Sequence, residues 1–231
     1  VCATRGDEVL HESLLGLSEK GGPLHSTGLL EEVEAAASAA GGWAAVDRIA
    51  VGLGPGSFTG LRIGLATARA LGLSCDVPVS GVCTLDALGR GLSEAATSSG
   101  LTQVRRPTHR GLAVIDARRG EVFAALYSLA GERLWEPCVV PPDGLAERVA
   151  EVEGPLLAAG SGALRFRKEL ASQGVAVPDD ADPVHRIAAR HVCALAAAGA
   201  EEDGTGPVVP IYLRPPDAER WRERDTSQAA D

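Results

Sequence analysis

An α/β fold with a mixed sheet in each of two halves is predicted by three observations. Short apolar runs come in antiparallel groups and are followed by a helix–strand–helix order. That order occurs twice, on either side of a polar stretch at 97–110. Glycine-containing turns separate the runs where hairpins and helix ends require them.

The elements follow in order. Val1 to Arg5 reads as a strand, Gly6-Asp7 as a tight turn and Glu8 to Leu15 as the returning strand. A Gly/Ser-rich loop runs through Gly22. From about Leu24 to Ala40 the apolar positions Leu29, Leu30, Val33, Ala36, Ala37 and Ala40 recur at helical spacing, and Gly41-Gly42 stops the helix. A strand at 48–53 and a helix at about 58–73 come next. Val77 to Val82 is a short buried strand, with Thr84 as the expected cap of the helix carrying Leu85, Leu88 and Leu92. Residues 93–110 read as a loop containing Arg105, Arg106 and Arg110. Gly111 to Asp116 and Glu121 to Leu129 form a second hairpin around Arg118-Arg119-Gly120, with a further strand near 132–140. A helix (143–151), a strand (155–159) and two helices (162–173 and 184–199) complete the second half. The charged residues from Arg214 onward read as a partly disordered tail. The repeated order suits a duplicated architecture of the actin/Hsp70/sugar-kinase type and is also compatible with other α/β folds.

Bulk properties narrow the function. The chain of 231 residues is long enough for one large domain or two small ones, and 45% hydrophobic content with 3% aromatics implies a core of Ala, Val, Leu and Ile. A net charge of −9 argues against a free-standing nucleic-acid binder, which needs a basic face. Cys2, Cys75, Cys83, Cys138 and Cys193 are scattered, with no C-x-x-C pair, so free thiols in a reducing cytoplasm are expected rather than a disulfide framework or zinc knuckle. No apolar run reaches membrane-spanning length. The sequence contains no methionine and begins at Val1, which reads as either a non-standard start or a missing N-terminal segment.

Gly54 to Gly64, GPGSFTGLRIG, is the most informative stretch. It joins a strand to a helix entered through Ser57 or Thr59, a junction that can hold an anion, dock a partner or simply cap the helix. A phosphate-cradling P-loop needs a lysine after its last glycine; Gly60 is followed by Leu61 and Arg62, and the glycine spacing differs. Gly54, Gly56 and Gly60 also miss the dinucleotide-binding spacing. Behind the loop, Gly60, Gly64, Ala68 and Gly72 fall four apart and leave one side of the helix without bulk. Each exposed glycine would cost a helix about 1 kcal/mol against alanine, so something must lie on this stripe. It is either another helix or the chain's own sheet.

Four signatures, in order along nearly the whole chain, carry a resemblance. GPGSFTG is one. Asp116 to Phe123 (DARRGEVF) resembles a D-A-R-x-x-E-V-[FY] hairpin, Ala159 to Ala163 (AGSGA) a G-[DS]-G-A turn, and Pro210 to Arg214 (PIYLR) a P-x-Y-L-R terminus. Together they resemble the TsaB (YeaZ) family of tRNA threonylcarbamoyladenosine biosynthesis. The resemblance implies an actin-like (ASKHA, ribonuclease H-like) fold of two lobes, 1–100 and 101–213, with mixed sheets flanked by helices, ahead of the tail at 214–231. It implies a non-catalytic subunit that binds the TsaD transferase, with the TsaE ATPase as third member, so that threonylcarbamoyl reaches N6 of adenosine 37 in ANN-decoding tRNAs. Contact with tRNA would be indirect, through the complex, and a homodimer is a further possibility of the family. Its interface helices correspond to 24–40 and 58–73, which makes Leu29, Leu30, Val33, Gly60, Leu61, Gly64, Leu65 and Ala68 the expected interface residues. On that reading Gly64→Leu or Ala68→Trp abolishes association, whereas unfolding would mark the stripe as core. The chain departs from the family in two respects: the usual first strand with its Asp-Thr-[SA] loop is absent, and 93–110 is longer than the usual link.

No catalytic, cofactor or metal residue is expected. The catalytic paralogue holds a metal through H-x-x-x-H, and His11, His25, His109, His185 and His191 include no such pair. Arg118 and Arg119 replace the small turn that embraces phosphate after the aspartate, so Asp116 reads as a turn-stabilising acid. Ser57 lacks the glycine of a nucleophile elbow, because Thr59 stands there, and nothing identifies a histidine partner for Cys83. The alternatives left open are an ASKHA-type ATP-dependent phosphotransferase or nucleotidase, and a glycoprotease-like peptidase. The tail's Arg220-Trp221-Arg222 is offset by neighbouring acids and is assigned no role.

Overall fold

The computed structural model describes residues 1–15, 28–98, 110–199 and 208–214. The loop through Gly22, the helix start at Leu24, His25, His109, Arg105, Arg106 and the tail beyond Arg214 lie outside the described residues.

The first half contains an antiparallel hairpin, β1 (Cys2–Arg5) and β2 (Glu8–Glu12), turning at Gly6-Asp7 as the sequence predicts. Helix α1 (Leu29–Ala40) packs on this hairpin through Ala36, Ala37 and Ala40 and ends at a left-handed Gly41. Strand β3 (Ile49–Gly54) pairs in parallel with β4 (Val79–Cys83), and α2 (Phe58–Cys75) crosses between them. The hairpin and the parallel pair are separate two-stranded sheets among the described residues. Helix α3 (Thr84–Ser98) follows and takes in the first residues of the loop expected from residue 93: Ser93 to Ser98 extend the helix because Leu92 and Ala96 continue its buried stripe. Thr84 is the first residue of α3 and not its cap; its hydroxyl accepts a hydrogen bond from Gly54 N–H at 3.1 Å and so ties the two strand ends together.

The second half is built on a four-stranded mixed sheet in the order β7-β6-β5-β8. Here β5 (Arg110–Arg118) and β6 (Glu121–Ser128) form the predicted hairpin, β7 (Cys138–Val140) is shorter than expected, and β8 (Leu156–Ala159) runs parallel to β5. The period of two sorts the side chains of β5 cleanly. Ala113, Ile115 and Ala117 face a cluster with Leu85, Leu88 and Leu92 of α3, while Leu112 and Val114 face one with Leu145, Val149 and Leu170. Helix α3 therefore covers one face of this sheet. The other is covered by α4 (Pro142–Ala150), α5 (Ser161–Arg165) and α6 (Arg167–Ser172). Burying each of the three α3 leucines contributes about 2 kcal/mol. Tyr127 OH donates to Asp86 Oδ1 at 2.7 Å, and Arg133 pairs with the same carboxylate, which anchors α3 to β6.

Two predicted helices are interrupted. The helix at 162–173 breaks at Phe166, which serves α5 and α6 as boundary. The helix at 184–199 resolves into a 3-10 turn at Pro183–His185 and α7 (Ala189–Ala198), because Arg186 and Ala188 are extended. Helix α7 packs back on β1, β3, β4 and α3. Arg190 joins Glu12 through Nη1 at 2.8 Å, and buried His191 lies 3.3 Å from Glu94.

Burial drives the His191 imidazole below its ordinary value of 6.5, although the Glu94 carboxylate opposes this; Arg190 and Arg90 act with burial, and Glu12 acts with Glu94. The unfolded chain thus binds a proton on this histidine more readily than the folded one, and stability is lost as pH falls below about 6.5. In His191→Gln that part of the pH dependence should flatten in melts at pH 7 and about 5.5. An unchanged pH slope would contradict the assignment. Loss from Glu12, whose carboxyl is held below 4.5 because the Arg190 hydrogen bonds outweigh burial, sets in only at lower pH.

Candidate functional site

The expected interface residues divide by where the helices turn them. On α1, Leu30 is 62% exposed, and Leu29 and Val33 are half-buried. On α2, Leu65 and Ala68 are buried, and Gly60, Leu61 and Gly64 are half-buried. Leu61 covers Gly54, whose φ of 98° and the nearness of a Leu61 methyl leave no room for a Cβ. A Cβ on Gly64 would sit 3.9 Å from Val51 of β3, and one on Gly72 would meet the Val79 side chain and lie 2.9 Å from Val77 O.

Gly64 and Gly72 of the small-residue stripe thus face the chain's own strands, and Leu65 and Ala68 are buried within the chain. Small side chains let α2 sit low on the flat β3–β4 pair, the same steric requirement as close helix–helix packing. Ala68→Trp should consequently unfold the chain by about 3 kcal/mol rather than only dissociate it, which a urea melt will show. A folded variant with a native midpoint would contradict the burial.

The outward face of α2 offers residues that the stripe argument passed over. Leu73 is 87% exposed, a large aliphatic side chain directed at solvent. Its neighbour Gly72 is buried, so position alone could have revealed it. Helices α1 and α2 lie on different two-stranded sheets, and each carries an uncovered leucine.

The residues weighed for catalysis are held otherwise. Ser57 Oγ accepts from Gly60 N–H at 3.4 Å as the cap of α2. Burial, reinforced by Asp86, pushes the Cys83 thiol up, away from the thiolate that a nucleophile requires. Asp116 accepts from Arg118 N–H at 2.8 Å, and its two oxygens receive Arg165 Nη1 at 3.0 and 2.8 Å. It is the turn-stabilising acid of a hairpin whose Arg118, Arg119 and Gly120 are all left-handed. His185 Nδ1 accepts from Gly160 N–H at 3.2 Å while Nε2 lies 3.1 Å from Pro178 O, so both ring nitrogens serve the fold. His11 lies 3.5 Å from Glu32. Among the described residues no group of three or more His, Cys, Asp or Glu side chains is placed to hold a metal, and no helix is long and apolar enough to cross a membrane.

With this geometry in view, comparison with known proteins is informative. The family model for TsaD, tRNA N6-adenosine threonylcarbamoyltransferase, matches residues 19–198. The tRNA threonylcarbamoyladenosine biosynthesis protein TsaB of Escherichia coli is 36% identical over 121 residues, covering 51% of this chain and 48% of the relative. The structure of YeaZ from Pseudomonas aeruginosa superposes with a TM-score of 0.62 at 29% identity, covering 82% of this chain and 84% of that one. The chain belongs to the TsaB/YeaZ family. An uncharacterized protein of Mycobacterium tuberculosis is 38% identical over 196 residues, 84% of this chain and 77% of the relative. The matched segment spans about half the length of the Escherichia coli TsaB. The mixed α/β architecture with helix-flanked sheets accords with the ASKHA-like fold expected of a TsaB-family chain.

Proposed function

We propose that this TsaB-family chain is a non-catalytic subunit of threonylcarbamoyladenosine biosynthesis on tRNA. It binds a TsaD-type transferase, with a TsaE-type ATPase as the third component, and enables transfer to N6 of adenosine 37. The observation that carries this reading is the likeness to TsaB of Escherichia coli and to TsaB of Bacillus subtilis, 33% identical over 120 residues, both named for that biosynthesis. The non-catalytic role is supported by the engagement of Ser57, Cys83 and Asp116 in capping, core and turn. The uncovered Leu30 and Leu73 support an interface on the outer faces of α1 and α2, with Leu29, Val33, Gly60, Leu61 and Gly64 at its margins. The same faces serve a homodimer when the transferase is absent. We place the lobes at 1–100 and 101–213 with a tail at 214–231, and the protein in the cytoplasm.

The test is reconstitution. Transferase and ATPase from the same source are assayed for tRNA modification with and without this chain. Modification that requires the chain, and none by the chain alone, is the expected result. Full modification in its absence would overturn the proposal.

A further inference from the structure

One strip of this surface runs against the net charge of −9. The segment 208–214 lies along the start of α2: Ile211 N–H donates to Leu53 O at 2.8 Å, and the Arg69 guanidinium donates to Val208 O. The Phe58 and Tyr212 rings meet with centroids 5.5 Å apart at 37°, and Arg62 stacks 3.9 Å above the Phe58 centroid. Two residues on, Arg214 pairs with Glu121 at 2.7 Å. Glu121 is the register partner of Arg118, whose turn also receives Arg165 through Asp116. The GPGSFTG loop, the DARRGEVF hairpin and the PIYLR terminus thus converge on one strip. It carries Arg62, Arg69, Arg118, Arg165 and Arg214 against Asp116 and Glu121, and from Arg48 to Cys75 the sequence has no acid at all. Phe58 and Tyr212 remain 37% and 41% exposed.

We propose that this strip contacts single-stranded RNA directly, with a loop of the tRNA as its occupant; this rests on the tRNA-modification reading above. Exposed aromatic rings beside guanidinium planes are what unpaired bases stack on, and flanking arginines meet the phosphates. The excess of positive groups complements RNA locally where the whole chain would repel it. The aromatic end of the strip stands well away from the exposed Leu73, fifteen residues along α2 from Phe58 and about 22 Å distant, while Arg69 lies one turn from that leucine. Acidity elsewhere makes the isolated chain a weak binder, so the strip acts within the complex.

The experiment measures fluorescence anisotropy of a labelled, unmodified tRNA transcript with the assembled complex of chain, transferase and ATPase. Tyr212→Ala and Arg62→Glu, each verified to fold by its melt and to co-purify with the transferase, should weaken tRNA binding about tenfold. Arg118→Gln, which keeps a left-handed turn no worse than before, should lower the salt slope by about one. Unchanged affinity and salt slope in all three would overturn the proposal. Loss of the transferase with tRNA affinity retained by the remaining components would overturn it too, because the strip would then be a protein interface. Failure of the function proposed above is recognised separately, as modification that proceeds without the chain.

Discussion

Replacing Gly160 by alanine should cost about 4 kcal/mol or more and lower the melting midpoint by roughly 12 °C. Gly160 ends β8 with φ 108° and donates its N–H to His185, directly beneath the central strand. A Cβ there would fall on the Val114 carbonyl oxygen and 2.7 Å from a Leu88 methyl. Val114 is backbone of β5 and Leu88 is fully buried on α3, so neither has room to yield. The collision would part α3 from the sheet at its best-packed point. Gly174 makes the control, since its φ of 75° meets nothing within 4 Å of a Cβ. Gly174→Ala should lose only the strain of a left-handed residue, about 1 kcal/mol. If the two variants melt alike, steric closure at Gly160 is not what holds α3 against this sheet.

The second large effect is on association. Leu30→Asp combined with Leu73→Asp should weaken binding to a TsaD-type transferase about 100-fold or more, while the melting midpoint stays near wild type. Each side chain is mainly exposed, so a charge costs the monomer little, whereas a desolvated carboxylate in an apolar contact has no compensation. Undiminished binding would remove α1 and α2 from the interface. Unfolding would show that the leucines support the fold of the chain itself.

Much of the fold was legible because it rests on local chemistry. The turns at Gly6-Asp7 and Arg118-Arg119-Gly120 announced both hairpins, and of the two cap candidates for α2, Ser57 and Thr59, Ser57 supplies the side-chain oxygen. The second of these hairpins, β5 and β6, lies in a sheet with both faces filled. What misled were residues whose local preference tertiary packing overrode. Ser93 and the residues after it read as loop from composition, yet Leu92 and Ala96 are buried and the helix continues to Ser98. Thr84 read as a cap, and its hydroxyl instead serves Gly54 across the parallel pair.

The site was legible in part, for a definite reason. Helical spacing reveals that Gly60, Gly64, Ala68 and Gly72 share a face, but not what lies on that face. A sheet and a second helix ask for the same absence of bulk, and here β3 and β4 satisfy it. The aromatic pair was out of reach of any local argument. Phe58 and Tyr212 lie far apart in the sequence, and only the return of 208–214 onto α2 unites them.

The account's central claim is that this protein acts by being covered, through the outer faces of its first two helices. Sedimentation of an equimolar mixture with the TsaD-type transferase tests it most directly. One heteromeric boundary for wild type, resolving into two separate species for the Leu30→Asp, Leu73→Asp variant, is the predicted result. A variant that still sediments with the transferase as wild type does would contradict it.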